Sequence, residues 1–164
     1  MSTVFLVCGN TAAGKSTYSA ELAKKYNAIS FSIDLWMQTL YGEDYDPEKH
    51  NLEWLTERTE RCKAQIRQIA QSLISQSINV VFDFGFGDLE SRKYYREWAS
   101  SQGAEVSLHF LDVPAQERLE RVHKRNKEKG ATFAFEVTDE MFDYVETMFI
   151  PPSDEELANG FRIV

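Results

Sequence analysis

The feature that most constrains this sequence is a phosphate-binding loop that begins at its ninth residue. Residues 9–16 read Gly-Asn-Thr-Ala-Ala-Gly-Lys-Ser, which is the P-loop pattern G-x-x-x-x-G-K-S. Glycines in this pattern let backbone N–H groups turn towards a polyphosphate, the lysine reaches the β- and γ-phosphates, and the serine hydroxyl can join the coordination shell of Mg²⁺. We therefore expect a nucleoside triphosphate to bind here together with Mg²⁺, and the P-loop itself does not distinguish ATP from GTP. The residues expected to bind it are Gly9, Asn10, Thr11, Ala12, Ala13, Gly14, Lys15, Ser16 and Thr17.

A P-loop needs a strand before it and a helix after it, and both can be recognised in the sequence. The run from Val4 to Cys8 is short and apolar, and Tyr18, Leu22 and Tyr26 recur every four residues. The same alternation continues along the chain, with strands predicted at 3–8, 28–33, 78–84, 105–111 and 161–164. Helices are predicted at 15–26, 34–41, 52–73, 89–101, 114–129 and 138–149. This order predicts one three-layer α/β/α domain over residues 1–164 with a mostly parallel sheet.

The predicted helix over 52–73 carries apolar residues at steps of three and four for three heptads. Such spacing can mark a coiled-coil seam between two chains, but a long helix packed on its own sheet explains it as well. The sequence is therefore compatible with a monomer or a homodimer.

Composition limits the class of partner. The chain has 164 residues, with 26 acidic side chains against 18 Lys and Arg, and a formal charge of −8. An acidic surface repels nucleic acid and anionic membranes, so we expect a small-molecule partner rather than nucleic acid or a membrane. No run of residues is long enough to span a membrane. Two cysteines, with no signal-peptide pattern at the start, indicate a cytoplasmic protein with reduced thiols.

Two acids lie at the carboxyl ends of predicted strands, where ligands bind to a parallel sheet: Asp34 follows the second strand, and Asp83 lies within the third. Asp83 comes after the three apolar residues Val-Val-Phe at 80–82, as a Mg²⁺-supporting aspartate would, and we predict Ser16 and Asp83 as the metal residues. The alternative for Asp83 is a hydrogen-bonded carboxylate with no metal role. Asp34 can orient the hydroxyl of a phosphoryl acceptor and take its proton late in transfer. The alternative for Asp34 is an N-cap of the following helix.

Basic and aromatic residues supply further candidates for the site. Arg118, Arg121 and Arg125 share one face of a predicted helix and could stabilise charge near a triphosphate, or form an ordinary solvated face. Arg92 could bind an anionic group of the acceptor, or cover the surface. Trp36 belongs to an aromatic group that could wall an acceptor pocket, or belong to the core.

The motifs together resemble one family. In order they are the P-loop at 9–17, Phe-Ser-Ile-Asp at 31–34, Val-Val-Phe-Asp-Phe-Gly at 80–85, Leu-Asp-Val-Pro at 111–114 and Arg-Val-His-Lys-Arg-Asn at 121–126. The chain is similar to the small P-loop kinases of the AAA-type ATP-binding group, which include chloramphenicol phosphotransferase, zeta toxin and the 5′-kinase domain of polynucleotide kinase. The resemblance implies a five-stranded parallel sheet in the order 2-3-1-4-5.

By the same resemblance, Asp34 would be the catalytic base and Arg121 and Arg125 would be lid arginines. Together with Lys15 these are the predicted catalytic residues, and Asp34, Arg92 and Trp36 are the predicted substrate residues. A lid is expected around 115–135 and an acceptor-side segment at 35–76. The predicted activity is ATP- and Mg²⁺-dependent transfer to a hydroxyl of a small molecule. The alternatives are a nucleotide-binding regulatory ATPase or switch, and a polynucleotide 5′-end kinase.

Overall fold

The computed structural model describes residues 1–130 and 136–164, and strands alternate with helices along these two ranges. The strands are β1 (Thr3–Cys8), β2 (Ala28–Ser32), β3 (Asn79–Gly85), β4 (Glu105–Leu111) and β5 (Phe161–Ile163). The helices are α1 (Lys15–Lys25), α2 (Ile33–Tyr41), α3 (Leu52–Ser75), α4 (Leu89–Ser101), α5 (Ala115–Glu128) and α6 (Asp139–Met148). Every predicted element is present, and the bounds differ from the predicted ones by two residues or fewer. Residues 131–135 of the expected lid lie outside the described residues.

The five strands form one parallel sheet in the order β2-β3-β1-β4-β5. In the register of the sheet, Val4 of β1 lies opposite Val80 of β3 on one side and Val106 of β4 on the other. The α/β/α fold and the strand order 2-3-1-4-5 are therefore confirmed. Because all strands run the same way, their carboxyl ends meet at a single edge of the sheet.

The core lies on both faces of the sheet, which explains the continuous apolar run in β3. Val80 and Phe82 pack on the face covered by α3 and α4, whereas Val81 packs on the opposite face with Leu22 of α1. Alternate side chains of a parallel strand point to opposite faces, so a strand covered on both sides has no polar face. This arrangement holds the end of β3, and with it Asp83, in a fixed place.

Helix α3 packs on its own sheet. Its buried side chains are those of Cys62, Ile66, Ala70 and Ile74, and they lie in the core cluster that covers β1 and β3. Leu52, at the start of the same apolar pattern, is exposed. Packing of α3 on its own sheet therefore explains the three- and four-residue spacing in the half of the helix that is buried.

The N-cap of α2 is not Asp34, the residue that the sequence offered for this role. Ser32 is the N-cap, and its Oγ accepts a hydrogen bond from the N–H of Leu35. The alternative that Asp34 is the N-cap is therefore wrong, because the helix begins one residue before it, at Ile33. Asp34 lies within the first turn and is exposed.

Both cysteine thiols, Cys8 and Cys62, are free and buried. Among the residues described, no helix combines the length and the apolar character needed to cross a bilayer.

A buried histidine makes the stability of the fold depend on pH. His109 of β4 is 3% exposed, and its ring nitrogens lie 2.7 Å from Tyr18 Oη and 3.0 Å from Ser107 Oγ. Burial, helped by the charge of Lys25, lowers the pKa of His109 from 6.5 to about 4. The unfolded chain regains the ordinary pKa, so below pH 6.5 it binds a proton that the native protein does not bind.

The stabilisation from neutral His109 is therefore complete above pH 6.5 and is lost as the pH falls towards 4. Between pH 8 and pH 5 we expect the free energy of unfolding of the wild type to fall about 2 kcal/mol more than that of His109→Gln. Urea denaturation followed by circular dichroism at the two pH values measures this difference. If the free energy of unfolding depended on pH in the same way in both proteins, the lowered pKa of His109 would be contradicted.

Candidate active site

A cavity of about 560 Å³ opens at the carboxyl ends of β1, β2 and β3. The P-loop and the end of β3 form its floor, and the C-terminal part of α6 forms the opposite wall. Ile33 and Asp34 extend the lining at the start of α2, but no residue of the expected acceptor-side segment 35–76 contributes to it. Lys15, Asp34 and Asp83, which are far apart in the sequence, thus share one cavity.

The P-loop has the backbone of an anion-binding turn. Gly14 has φ +91° at the N-cap of α1, and Ala12 has φ +60° two residues earlier. An alanine in this left-handed region is strained by roughly 1 kcal/mol, a cost that loops bear where the fold requires them to curl. Because Gly14 has no side chain and the first turn of α1 has no acidic residue, nothing in the sequence caps the first N–H groups of the helix. Such a helix end is suited to bind phosphate.

Lys15 lies between the loop and two carboxylates. Its Nζ donates a hydrogen bond to the carbonyl oxygen of Asn10 at 3.1 Å. Burial lowers the pKa of the Lys15 ammonium, and the negative charges of Asp83 and Asp34 act against this shift. A cation held in this way can meet phosphate oxygens with little loss of side-chain entropy.

Ser16 and Asp83 form a pair of oxygen donors beside Lys15. Ser16 Oγ donates to Asp83 Oδ2 at 2.9 Å. Burial raises the pKa of Asp83, whereas the hydrogen bond from Ser16 and the charge of Lys15 lower it. In the described ranges, no group of three or more His, Cys, Asp or Glu side chains could hold a metal ion. One hydroxyl and one carboxylate nevertheless fit Mg²⁺, which is commonly bound through one or two carboxylates and the phosphates of its substrate.

Helix α6 brings to the site a residue that the sequence did not single out. The carboxylate of Glu146 accepts hydrogen bonds from Arg118 Nη1 at 2.6 Å and Nη2 at 2.8 Å, and another from Asn10 Nδ2 in the P-loop. Arg118 also donates to the carbonyl oxygens of Val113 and Thr11. Glu146 thereby joins α6, α5 and the P-loop. Its spacing from Asn10 along the chain carries no signal that could have predicted this contact.

The other two arginines of α5 differ in their surroundings. Arg121 is exposed, donates to the carbonyl oxygen of Ala12 at 3.3 Å and pairs with Glu117 at 2.6 Å. Its Nη1 also lies 3.7 Å from the position that a Cβ would take on Gly14, so it is adjacent to the P-loop. Arg125 Nε is buried and has no hydrogen-bond partner among the residues described. Neither arginine contributes to the lining of the cavity.

The structure does not bring Arg92 or Trp36 to the cavity. Arg92 is 1% exposed; its Nε and Nη2 donate to Glu156, and its Nη1 donates to the carbonyl oxygens of Phe86 and Ile150. These partners occupy the guanidinium group, which therefore does not face the acceptor space. Trp36 is partly buried against the core, 6.5 Å from the ring of Phe31.

Comparison with known proteins identifies a family that matches this chain. A family model described as an AAA domain matches residues 4–152. Among solved structures, a protein of Chloroflexus aurantiacus described as a candidate kinase superposes with a TM-score of 0.75 at 17% identity, over 99% of this chain and 84% of the other.

Two further structures contain nucleotides or their analogues. Kti12 of Chaetomium thermophilum, in complex with ADP-AlF3, superposes with a TM-score of 0.73 at 12% identity, over 98% of this chain and 88% of that one. The APS kinase of Mycobacterium tuberculosis, in complex with AMPPNP and APS, gives a TM-score of 0.62 at 17% identity, over 92% and 83%. At these identities the likeness shows a shared fold.

Proposed function

This chain belongs to the AAA domain family, and from that premise we propose that it is an ATP- and Mg²⁺-dependent phosphotransferase acting on a hydroxyl of a small molecule. The observation that carries the proposal is the meeting of Lys15, Asp83 and Asp34 in one cavity beside the P-loop. The P-loop and Lys15 would bind the phosphates of ATP, and Asp34 would face the acceptor.

The proposed reaction is an in-line displacement at the γ-phosphorus. The acceptor oxygen forms a bond to that phosphorus, the bond to the β,γ-bridging oxygen breaks, and its electron pair leaves with ADP. The hydroxyl proton passes to the carboxylate of Asp34 and from there to solvent. When bound, Mg²⁺ offsets the charge of the β- and γ-phosphates, and Ser16 and Asp83 are the residues that would hold it.

The arginines of α5 would act from the other side of the P-loop. Arg121, adjacent to the loop, and Arg125 are proposed to approach the γ-phosphate as lid residues and to stabilise negative charge during transfer. The segment proposed to carry them is 115–135, of which α5 forms the greater part. We propose a different role for Arg118: its guanidinium group is occupied by Glu146 and by the carbonyl oxygens of Val113 and Thr11, so it would position the P-loop and not approach the γ-phosphate.

A panel of hydroxyl compounds, each incubated with the protein and ATP labelled at the γ-phosphate, tests the proposal. We expect the label to appear in one chemical class of acceptor and to require divalent cation. If the label appears only in inorganic phosphate, and a protein partner accelerates its release, the chain is a regulatory ATPase instead. Labelling of 5′-hydroxyl oligonucleotides in preference to small molecules would support a polynucleotide kinase.

The position of Glu146 leads to a separate prediction about ATP binding. Glu146→Gln keeps the size of the side chain but removes the charge that orients Arg118 and Asn10. Because charge-assisted bidentate pairs are about twice as strong as neutral hydrogen bonds, we expect the KM for ATP to rise by about 3- to 10-fold. Steady-state kinetics with varied ATP measures this change. In Glu128→Gln, an exposed change at the end of α5, the KM should stay as in the wild type.

An unchanged KM for ATP in Glu146→Gln would show that the contact has no part in nucleotide binding. A fall in kcat with no change in KM would place Glu146 in the transfer step instead.

A further inference from the structure

The acceptor end of the cavity has a distinctive chemical lining. Beyond the P-loop, its walls are apolar side chains from three segments of the chain and three carboxylates, Asp34, Asp83 and Asp88. The apolar side chains are those of Ile33, Phe84, Val145, Met148 and Phe149. Val145 and Met148 are 38% and 60% exposed, so a ligand seated here would remove apolar surface from water.

Among the residues described, the one cationic side chain that lines the cavity is that of Lys15 in the P-loop. The charged residues of the lining are Lys15, Asp34, Asp83 and Asp88, so every one except the P-loop lysine is an acid. Arg92 is buried and paired with Glu156, and Arg96 donates to the carbonyl oxygen of Glu156. The undescribed residues 131–135 are Ala-Thr-Phe-Ala-Phe and contain no charge.

We propose that the acceptor is an alcohol with a largely apolar body and without a phosphate, sulfate or carboxylate group. The inference rests on the proposed function and names the class of substrate for that site. An anionic group in this space would leave water without gaining a cationic partner, and it would lie among carboxylates. An uncharged apolar group avoids both costs and covers Val145 and Met148.

Matched acceptors test the proposal directly. Aryl alcohols of equal size that end in a primary amide, a carboxylate or a phosphate differ only in the charge at one end. With ATP labelled at the γ-phosphate, we expect kcat/KM for the amide to exceed that for either anion by at least about tenfold, since each factor of ten reflects about 1.4 kcal/mol of discrimination. A higher kcat/KM for an anionic acceptor would overturn the proposal.

Two methionines of α6 provide a matched pair of variants. Met148 lines the cavity, whereas Met141, 46% exposed on the same helix, does not. We expect Met148→Gln to raise the KM for the amide acceptor about fivefold and to leave the KM for ATP unchanged. Met141→Gln should change neither value. Equal effects of the two substitutions would show that this wall does not contact the acceptor.

Replacing Asp88 tests the effect of one carboxylate on the choice of acceptor without disturbing the fold. Its Oδ1 accepts a hydrogen bond from the N–H of Ser91 at the start of α4, and asparagine caps helices as well as aspartate does. We expect Asp88→Asn to lower the ratio of kcat/KM for the amide to kcat/KM for the anionic acceptors, because the substitution removes one charge that repels the anions. An unchanged ratio would show that the charge of Asp88 does not cause the preference for the amide.

The labelling experiments distinguish a wrong substrate class from a wrong proposed function. Preferential labelling of an anionic acceptor refutes the substrate class but leaves a phosphotransferase. Labelling of no acceptor, either in the panel of hydroxyl compounds or among the matched aryl alcohols, with ATP hydrolysed to labelled inorganic phosphate, refutes both.

Discussion

Replacing Asp34 by asparagine should lower kcat for phosphoryl transfer by about 10²- to 10⁴-fold, the contribution usual for a positioned general base. The affinity for ATP should stay within a few-fold of the wild type, because the phosphates are bound by the P-loop and Lys15. Asparagine keeps the size of the side chain, and Asp34 is not the cap of α2, so the helix should remain intact. Initial rates with labelled ATP and calorimetric ATP binding measure the two quantities.

A second asparagine substitution separates the loss of the base from the loss of a charge. Asp44 is exposed in the loop between α2 and α3 and takes no part in the cavity lining. Asp44→Asn changes the net charge of the protein by the same amount and should retain full activity. Wild-type turnover in Asp34→Asn would refute the assignment of the base.

The largest loss of stability is expected for Arg92→Met. This change removes a guanidinium group that is 1% exposed, and with it the cationic partner of Glu156 and the hydrogen bonds donated to the carbonyl oxygens of Phe86 and Ile150. Breaking a buried ion pair by removing one partner costs about 3–5 kcal/mol, a large part of the stability of an ordinary domain. Urea denaturation of the purified variant measures the change in the free energy of unfolding.

The control for Arg92 is an arginine in an exposed pair. Arg61 pairs with Glu57 on α3, and both side chains are more than half exposed. Arg61→Met should cost about 1 kcal/mol or less, because surface pairs are screened by water. In the double variant Arg92→Met, Glu156→Gln we expect part of the lost stability to return, since the orphaned charge is gone. A cost for Arg92→Met no larger than that for Arg61→Met would contradict the buried-pair account.

The sequence predicted the fold well because the fold depends on local patterns. The alternation of strands and helices predicted the α/β/α domain, and the strand predicted at 78–84 is covered on both faces in the structure. The strand order came from the resemblance, and the pairing of β1 with β3 and β4 confirms it. The places of Asp34 and Asp83 at one edge followed from the parallel arrangement of the strands.

Long-range partners were beyond the reach of the sequence. Arg92 was a plausible anion-binding residue until its partner became visible, and that partner, Glu156, lies 64 positions further along the chain. Glu146 likewise joins Asn10 and Arg118 across 136 and 28 positions. A salt bridge between distant segments leaves no periodicity in the sequence, so only the folded chain shows which charges are paired and which face the cavity.

The partition of the label from ATP between an acceptor alcohol and water tests the central claim most directly. With the wild type and the neutral aryl alcohol at saturation, we predict that most of the label released from ATP is recovered in the phosphorylated alcohol, and that Lys15→Ala abolishes its formation. Recovery of all the label as inorganic phosphate, at a rate that the alcohol does not change, would contradict the account.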